Sequence, residues 1–497
     1  MVTYFQGDQD EIRSRLHHRQ VAAASFNRIH ELAMIPIRLI APVLAVIMFS
    51  AYACAEVLSQ TDKGVSTQAA PEQFAETFAA ANPKNLASLA TLIAEALENN
   101  PEIQAALRER EAARQRILPA EALDDPVLEA GVINAPLASS TFNREDMTMK
   151  MIGLSQRFPF PGKRGLRKDV AARDAEAIEY GYQETVNRVV RDIKITYLDL
   201  GLTLEMTRLV EKNKLILEEL LHIAEDHYAV GRGNQADVLK AQTQVSRMVD
   251  ELLKLARERP VIEAELIRAL GWRGNKPLPA PAPPQLREEI LNLESLLETA
   301  LTQRPQLLAL QSLVARNDKA LELTRKNYYP DFDVRMSYGQ RDNMLDNSRR
   351  PDMVSLTVAM NLPVWRGDKL QPREAESLAM RDQALSTYEA QRNEVAARLR
   401  QQTALAEQSL KSARLYQTAI LPQARLAVES TLAAYRVNRV DFMTLLDSQM
   451  TVFNSEISLA TTMAGYNKAL AEIDLLAGKT PVNSSPIPPE SMSGERM

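Results

Sequence analysis

Hydrophobic side chains between residues 163 and 229 follow the spacing of a long helix that packs along one seam. The apolar positions are four and three residues apart in alternation, at Val186, Val190, Ile193, Tyr197, Leu200 and Leu204. This spacing is typical of a coiled-coil seam. At about 1.5 Å of rise per residue, an uninterrupted helix over this stretch would extend for roughly 100 Å.

A second seam follows a short turn at residues 230–234. It continues the same spacing at Val238, Ala241, Val245, Met248, Leu252 and Leu255. Pro260 is expected to kink this helix, and Gly271 is expected to end it. The pattern therefore predicts a helical hairpin over about 163–271.

Strand-like alternation of apolar and polar residues occurs in two pairs of segments, one before this hairpin and one after it. It predicts strands at about 126–133, 147–157, 330–339 and 353–362. The apolar face of the later pair is predicted to contain Phe332, Val334, Met336, Tyr338, Val354, Leu356, Val358 and Met360. In the earlier pair, Met147, Met149 and Met151 are predicted to form the apolar face. Thioethers suit soft metals such as copper or silver, but the apolar alternation favours lipid contact for this stripe.

The chain contains an internal repeat of about two hundred residues. Three prolines recur 204 residues later, so that Pro101, Pro126 and Pro159 become Pro305, Pro330 and Pro363. Around the hairpin turn the offset is 207, which aligns Tyr228 with Tyr435 and Gln242 with Gln449. A unit of about two hundred residues is far longer than a solenoid repeat. The second copy therefore predicts another strand pair and another hairpin, over about 371–477.

Four strands are too few to close a membrane barrel, which needs at least about eight. Strands of seven to eleven residues are nevertheless close to the length that crosses a bilayer at a tilt. Other subunits in cyclic symmetry are the simplest way to complete such a sheet. The alternative is a secreted periplasmic coiled-coil scaffold with a small β-subdomain.

Net charge and cysteine count limit the binding partners and the disulfide bonds that the chain can have. The 497 residues carry a formal net charge of −5, which provides no basic surface for nucleic acid, and no nucleic-acid partner is expected. The chain has a single cysteine, Cys54, so no disulfide within the chain can form.

The N-terminal region contains an apolar run at residues 39–50, which is too short to span a bilayer and is typical of a secretory signal. Met34 is a candidate for the true start. Cys54 is a candidate lipid anchor, but Ala51 and Tyr52 fit a lipoprotein signal poorly. A removed signal is therefore the favoured interpretation.

No pattern of residues predicts catalysis, a cofactor or a resident metal. His222 and His227 lie five residues apart, not the four that place two metal ligands on one helical face. The chain is therefore expected not to be an enzyme.

The repeat organisation resembles the TolC-like outer-membrane efflux channels. Local motifs agree, among them Asn100-Pro101-Glu102, Tyr329-Pro330-Asp331 and Asp237-Val238-Leu239. The run Phe158-Pro159-Phe160-Pro161-Gly162-Lys163-Arg164 is similar to the strand-to-helix junction of the heavy-metal export subgroup. The resemblance covers roughly residues 86–478.

The resemblance implies a fold that is mainly α with β, in two repeats of strand pair plus long helical hairpin. It implies a homotrimer in the outer membrane, whose 12-stranded β-barrel joins a periplasmic α-helical barrel. The implied partners are outer-membrane lipid, a periplasmic adaptor protein and an inner-membrane efflux pump, expected to be proton-driven. The expected divisions are 1–55 leader, 56–85 extension, 86–275 first repeat, 276–285 Pro-rich linker, 286–478 second repeat and 479–497 tail.

The resemblance also implies roles for particular residues. The adaptor would dock at two tips, Val230-Gly231-Arg232 and Val437-Asn438-Arg439. Asn438 stands where the first tip has Gly231, and it tolerates a left-handed turn. The periplasmic gate would involve Asp237, Tyr435, Asp441 and Asp447, with Thr444 in place of a second acidic ring. The lumen would be lined by Glu129, Lys150, Asp331, Asp333 and Arg335.

Overall fold

The computed structural model describes residues 83–135, 145–274, 278–279, 281, 283, 285–286, 289–346 and 348–479. All of them belong to one compact unit, Pro71–Met497. The predictions for the leader, for Cys54 and for residues 480–497 lie outside the described residues, as do most of the extension and much of the Pro-rich linker.

The first half of the described chain contains short helices, a strand pair and a long helical hairpin. Its elements are α1 (Pro83–Asn99), α2 (Pro101–Gln115), α3 (Ile117–Glu121), β1 (Val127–Ile133), β2 (Met149–Phe158), α4 (Lys163–Ala229) and α5 (Gln235–Leu270). Gly271 ends α5 with a φ of 69°. A Cβ at Gly271 would come within 2.5 Å of the Pro101 ring. Only glycine therefore fits this position, which holds α5 against the start of α2.

The second half repeats this order. Its elements are α6 (Leu293–Gln303), α7 (Pro305–Lys326), β3 (Phe332–Gln340), β4 (Met353–Met360), π1 (Arg366–Leu370), α8 (Gln371–Leu415), π2 (Tyr416–Ile420), α9 (Leu421–Arg436) and α10 (Phe442–Leu476). Asn292 caps α6 by accepting from the N–H of Glu294 at 3.0 Å. The predicted fold class, mainly α with β in two repeats of strand pair plus hairpin, is confirmed.

The four strands form one antiparallel sheet in the order β1-β2-β3-β4. The two repeats meet at its centre, where β2 pairs with β3 and Phe158 lies opposite Phe332. Within the described residues, β1 pairs only with β2 and β4 only with β3. Both outer strands therefore present one edge that the described chain does not pair.

The hydrophobic core lies along the helical seams. Val186, Ile193 and Leu200 of α4 are at most 2% exposed, as the seam predicts. Farther along α4, one cluster joins the two hairpins, with Leu217 from the first and Leu445 from the second. Burying one such leucine contributes about 1.5–3 kcal/mol. These contacts pack α10 against α4 and hold the hairpins side by side.

Two π-helical turns occur along the outgoing arm of the second hairpin: π1 leads into α8, and π2 lies between α8 and α9. π2 directly precedes α9, whose first turn contains Pro422. Proline lacks the N–H that a continuing helix needs, so a π turn before it is a suitable adjustment. In the first repeat, α5 continues through Pro260 and ends at Leu270.

Candidate functional site

Each helical hairpin ends in a turn whose central residue is left-handed. Gly231 has a φ of 71°, and Asn438 has a φ of 59°. The N–H of Gly231 donates to the carbonyl of Tyr228 at 3.0 Å, and the N–H of Asn438 donates to that of Tyr435 at 2.9 Å. The prediction that Asn438 keeps the geometry of the first tip is confirmed.

The next residue of each turn completes the same hydrogen-bond pattern. The N–H of Arg232 donates to the carbonyl of His227, and that of Arg439 to that of Ala434, both at 2.9 Å. These bonds satisfy the last carbonyls of α4 and α9. All six tip residues are exposed, namely Val230, Gly231, Arg232, Val437, Asn438 and Arg439. The two tips thus offer matching apolar and cationic side chains to a partner.

Behind the tips, an aromatic contact links the two hairpins. The ring of Tyr435 stacks on the imidazole of His227 with centroids 4.9 Å apart. It also meets the edge of Phe442 at 5.8 Å. Burial, followed by the negative charge of Asp237, raises the pKa of Tyr435. Asp237 and Tyr435, both predicted gate residues, are therefore close enough to interact within one subunit.

A polar stripe runs along α10 from its N-terminus. Asp441 caps the helix, since its carboxylate accepts hydrogen bonds from the hydroxyl and, at 3.1 Å, from the N–H of Thr444. These two bonds lower the pKa of Asp441. Exposed positions then recur at helical spacing, at Asp441, Thr444, Asp447, Thr451 and Asn454. Asp447, the predicted gate residue, thus lies on an exposed face of α10.

Farther along α10, a buried carboxylate joins three helices. Glu456 is 9% exposed and bonds to Lys212 of α4 and Arg425 of α9, each at 2.9 Å. Burial would raise the pKa of Glu456, but the hydrogen bonds from the two cations outweigh it, and the pKa is lowered. About two turns closer to the tip, Gln449 donates to the side chain of Asn213 at 2.9 Å. These contacts fix the position of α10 relative to the first hairpin.

The register of the sheet divides its side chains into two faces. The apolar face includes Ile152, Leu154, Val334, Met336, Leu356 and Val358. The polar face includes Glu129, Ser155, Asp333, Arg335, Ser337 and Ser355. On the apolar face Leu154 is 52% exposed and Leu356 is 71% exposed. An exposed apolar surface of this extent indicates contact with lipid or another apolar partner.

The register corrects two predictions for β2. Lys150 lies opposite Val132 and Gln340, on the apolar face, so its predicted place beside Glu129 and Arg335 is wrong. Its ammonium pairs with Asp342 at the end of the sheet, 3.1 Å away. Met149 and Met151 lie on the polar face, so their predicted place among the apolar side chains is also wrong. At the start of β2, apolar residues occur at both odd and even positions, so the sequence does not show which set faces which side of the sheet. The pairing with β3 fixes the two faces.

Asp331 also differs from its prediction as a lumen residue. It precedes β3, its side chain is 12% exposed, and its carboxylate bonds to the ammonium of Lys163 at 2.7 Å. The N–H of Phe160 donates to the same oxygen at 2.9 Å. This prediction is wrong because the carboxylate is held inside the strand-to-helix junction. Glu129 and Arg335 do share the polar face, and they form an ion pair at 3.1 Å.

The sequence does not predict three of these contacts: the Lys163–Asp331 pair, the Glu456 cluster and the His227–Tyr435 stack. Their signal in the sequence is weak, because each joins residues from distant parts of the chain. His222 bonds to Glu225 at 3.3 Å, whereas His227 stacks on Tyr435, so the two histidines have separate surroundings.

In the described part of the chain, no helix is long and apolar enough to cross a membrane. The same residues contain no group of three or more His, Cys, Asp or Glu side chains that could hold a metal ion.

Residues 92–272 and 296–479 match the family model described as outer membrane efflux protein. The cobalt-zinc-cadmium resistance protein CzcC of Cupriavidus metallidurans is 23% identical over 412 residues, which cover 80% of this chain and 91% of that protein.

Solved structures with the same fold include two outer-membrane proteins. The outer membrane protein VceC of Vibrio cholerae gives a TM-score of 0.66 at 16% identity, over 79% of this chain and 96% of that one. The CmeC outer membrane channel of Campylobacter jejuni gives a TM-score of 0.65 at 14% identity, over 79% and 85%.

Proposed function

Since the chain belongs to the outer membrane efflux protein family, we propose that it is the outer-membrane channel subunit of a tripartite efflux system. It is an outer-membrane protein with long periplasmic helices. This location excludes the alternative of a secreted coiled-coil scaffold. The observation that carries the proposal is the sheet, which has one exposed apolar face, one polar face and two edges that the described chain does not pair.

The proposed assembly is a homotrimer. A single four-stranded sheet leaves β1 and β4 with open edges, and unpaired backbone groups inside a bilayer cost several kcal/mol each. Three copies in cyclic symmetry would pair each β1 with the β4 of a neighbour and close a barrel of twelve strands. The apolar face would then contact lipid, and the polar face would line the lumen.

The duct is passive in this proposal. Its wall offers hydrated hydroxyl groups, such as those of Ser337 and Ser355, together with the Glu129–Arg335 ion pair. Groups of this kind give a weak charge preference rather than tight binding. The energy and most of the selection would therefore come from an inner-membrane pump, for which a proton-driven type is proposed. No enzymatic activity is required of the channel itself.

The tips and the start of α10 are the proposed contact and control points. The exposed Val230, Arg232, Val437 and Arg439 would dock a periplasmic adaptor protein. Asp447 and Asp441 would narrow the periplasmic entrance, while Asp237 and Tyr435 would help to hold it shut. Three Asp447 carboxylates near one axis would repel one another and attract multivalent cations.

The proposed cargo is a heavy-metal cation. The support is the relationship to CzcC, whose name refers to cobalt, zinc and cadmium resistance.

The experiment is reconstitution of the purified protein into planar lipid bilayers. The proposal predicts discrete single-channel steps from a preparation that behaves as a trimer in solution. A well-folded trimer that never conducts would contradict it, and so would a monomer that remains in the periplasmic fraction of cells.

A further inference from the structure

Three methionines of the sheet lie together on its polar face, at the end remote from the helices. Met151 of β2 pairs with Gly339 of β3, and Gly339 pairs in turn with Met353 of β4. Met149 precedes Met151 by two residues, so its side chain points to the same face. All three thioethers therefore project from one patch of sheet.

Gly339, which has no side chain, lies between Met151 and Met353 in the sheet. The sulfur of Met149 lies only 2.5 Å from the position that a Cβ at Gly339 would occupy. The side chain of Met149 thus extends from β2 across β3. Neighbouring strands are about 4.8 Å apart, so Met151 and Met353 flank Gly339 at about that distance on either side. A methionine sulfur lies three rotatable bonds from Cα, and all three sulfurs can therefore reach the space above Gly339.

The three thioethers of this patch are soft metal ligands. Thioether sulfur favours monovalent copper and silver over divalent zinc or cobalt, which favour nitrogen and oxygen ligands. The carboxylate of Glu129, which lies on the same face, is paired with Arg335 at 3.1 Å. Within the residues that the structure describes, no cluster of His, Cys, Asp or Glu offers a competing site.

We infer that Met149, Met151 and Met353 form a thioether site for a soft monovalent metal cation, Cu⁺ or Ag⁺, at the outer end of the duct. That the site faces the lumen rests on the proposed function. The absence of a side chain at Gly339 lets the sulfur of Met149 lie over β3, whose neighbours β2 and β4 carry Met151 and Met353. A neutral three-sulfur site binds such a cation without the strong charge attraction that would retain it. It would act as a transfer point on the way out rather than as a resident metal centre.

Silver binding to the purified full-length protein in detergent tests this inference. Silver nitrate is titrated calorimetrically in a chloride-free buffer, because chloride precipitates Ag⁺. The test variant replaces three methionines, Met149→Leu, Met151→Leu and Met353→Leu, and leucine conserves their volume. The control carries Met336→Leu and Met360→Leu on the apolar face.

The control is expected to bind Ag⁺ as the unaltered protein does. The test variant is expected to bind about one Ag⁺ fewer per subunit, or to bind it at least about tenfold more weakly. Mutation of residues that only contact a metal ligand already lowers metal affinity by about tenfold or more, and this variant removes the ligands themselves. Silver binding by the test variant equal to that of the unaltered protein would overturn the inference.

Peroxide oxidation provides a second test that needs no substitution. Bound Ag⁺ should protect the sulfurs of Met149, Met151 and Met353, as measured by mass spectrometry of the unaltered protein. Equal oxidation of these three with and without Ag⁺ would overturn the site. Channel recordings on the same preparation separate the two proposals. A protein that conducts but shows no Ag⁺ site contradicts only this inference, and a folded protein that binds Ag⁺ but never conducts contradicts only the proposed channel.

Discussion

Lys163 and Asp331 connect the two repeats at the base of the sheet, with 2.7 Å between the ammonium nitrogen and the carboxylate although 168 residues separate them. Lys163 also donates to the carbonyl of Tyr329 at 3.0 Å. The rings of Phe160 and Tyr329 stack beside this pair with centroids 4.6 Å apart. The start of α4 is thus fixed to the start of β3, which sets the sheet relative to the first long helix.

Asp331→Asn is expected to destabilise the protein by about 3 kcal/mol, because it leaves the buried Lys163 ammonium without its carboxylate. The measurement is the midpoint of thermal unfolding by circular dichroism. The matched control is Glu111→Gln, which breaks the exposed Arg108–Glu111 pair and should cost less than about 1 kcal/mol. Equal shifts in the two variants would show that the Lys163–Asp331 pair has no special structural role.

Leu356→Arg is expected to block assembly in the membrane. Leu356 lies on the apolar face opposite Met336, and an arginine facing lipid at mid-bilayer costs about 2–4 kcal/mol. Ser355→Arg is the control, since Ser355 is the adjacent residue but points to the polar face opposite Ser337. Outer-membrane fractions are compared for heat-modifiable trimer. Equal amounts of trimer from the two variants would contradict the assignment of the faces.

Gly231→Pro is expected to leave trimers intact but to abolish export. Gly231 has a φ of 71° and donates its N–H to Tyr228, whereas proline has no N–H and holds φ near −65°. The tip would therefore change shape without any loss of core packing. Asn438→Gly is the control, because glycine accepts the left-handed φ of 59° at that position. Full metal resistance in cells that carry Gly231→Pro would mean that the adaptor does not bind at the tips.

Asp447→Asn is expected to raise conductance at low voltage and to weaken block by multivalent cations, since it removes one carboxylate per subunit from the proposed entrance. Asp237→Ala and Tyr435→Phe are expected to loosen the closed state. Asp250→Asn, an exposed carboxylate on α5, is the control and should leave the block unchanged. Single-channel recording decides the matter, and unchanged cation block in Asp447→Asn would remove Asp447 from the constriction.

The packing of α10 is expected to weaken in acid. The folded protein holds the pKa of Glu456 below its ordinary value, so the ionised carboxylate contributes stability above the unfolded pKa of about 4.3. That contribution is lost as the pH falls through the lowered pKa of the folded state. Glu456→Gln should therefore lower stability at neutral pH and flatten the pH dependence below about 4.5. The check is urea denaturation from pH 3 to 7, and identical pH profiles for the two proteins would exclude this role for Glu456.

The sequence predicts those parts of the fold that depend on local pattern. The seam at Val186, Ile193 and Leu200 is visible as a heptad spacing, and it is buried. Asn438 can be matched to Gly231 because the repeats align, and both residues are left-handed. These features are predictable because each depends on residues that are neighbours in the sequence or in the repeat.

Other features depend on pairing between distant strands and helices. The faces of Lys150 and Met151 follow from the register of β2 with β3, which residues 147–152 do not encode by themselves. The contact of Asp331 with Lys163 is equally remote in the sequence. Sequence pattern therefore predicts the apolar face of β3 and β4 correctly, but it assigns the start of β2 to the wrong face.

The central claim is that three copies close one barrel by pairing β1 of each subunit with β4 of the next. The direct measurement is disulfide trapping in outer-membrane fractions, in a background where Cys54, the only native cysteine, is replaced by serine. Gly131→Cys on β1 is combined in turn with Ser355→Cys, Thr357→Cys or Ala359→Cys, all on the polar face. Within one subunit, β2 and β3 separate these strands by about 14 Å, too far for a disulfide.

At least one of the three pairs is expected to give a covalent trimer on oxidation, seen as a band at three times the subunit mass in a denaturing gel and lost on reduction. Gly131→Cys alone is the control and should give no trimer. Only monomers from all three pairs, or an open ladder of bands that extends beyond the trimer, would contradict the closed three-subunit barrel.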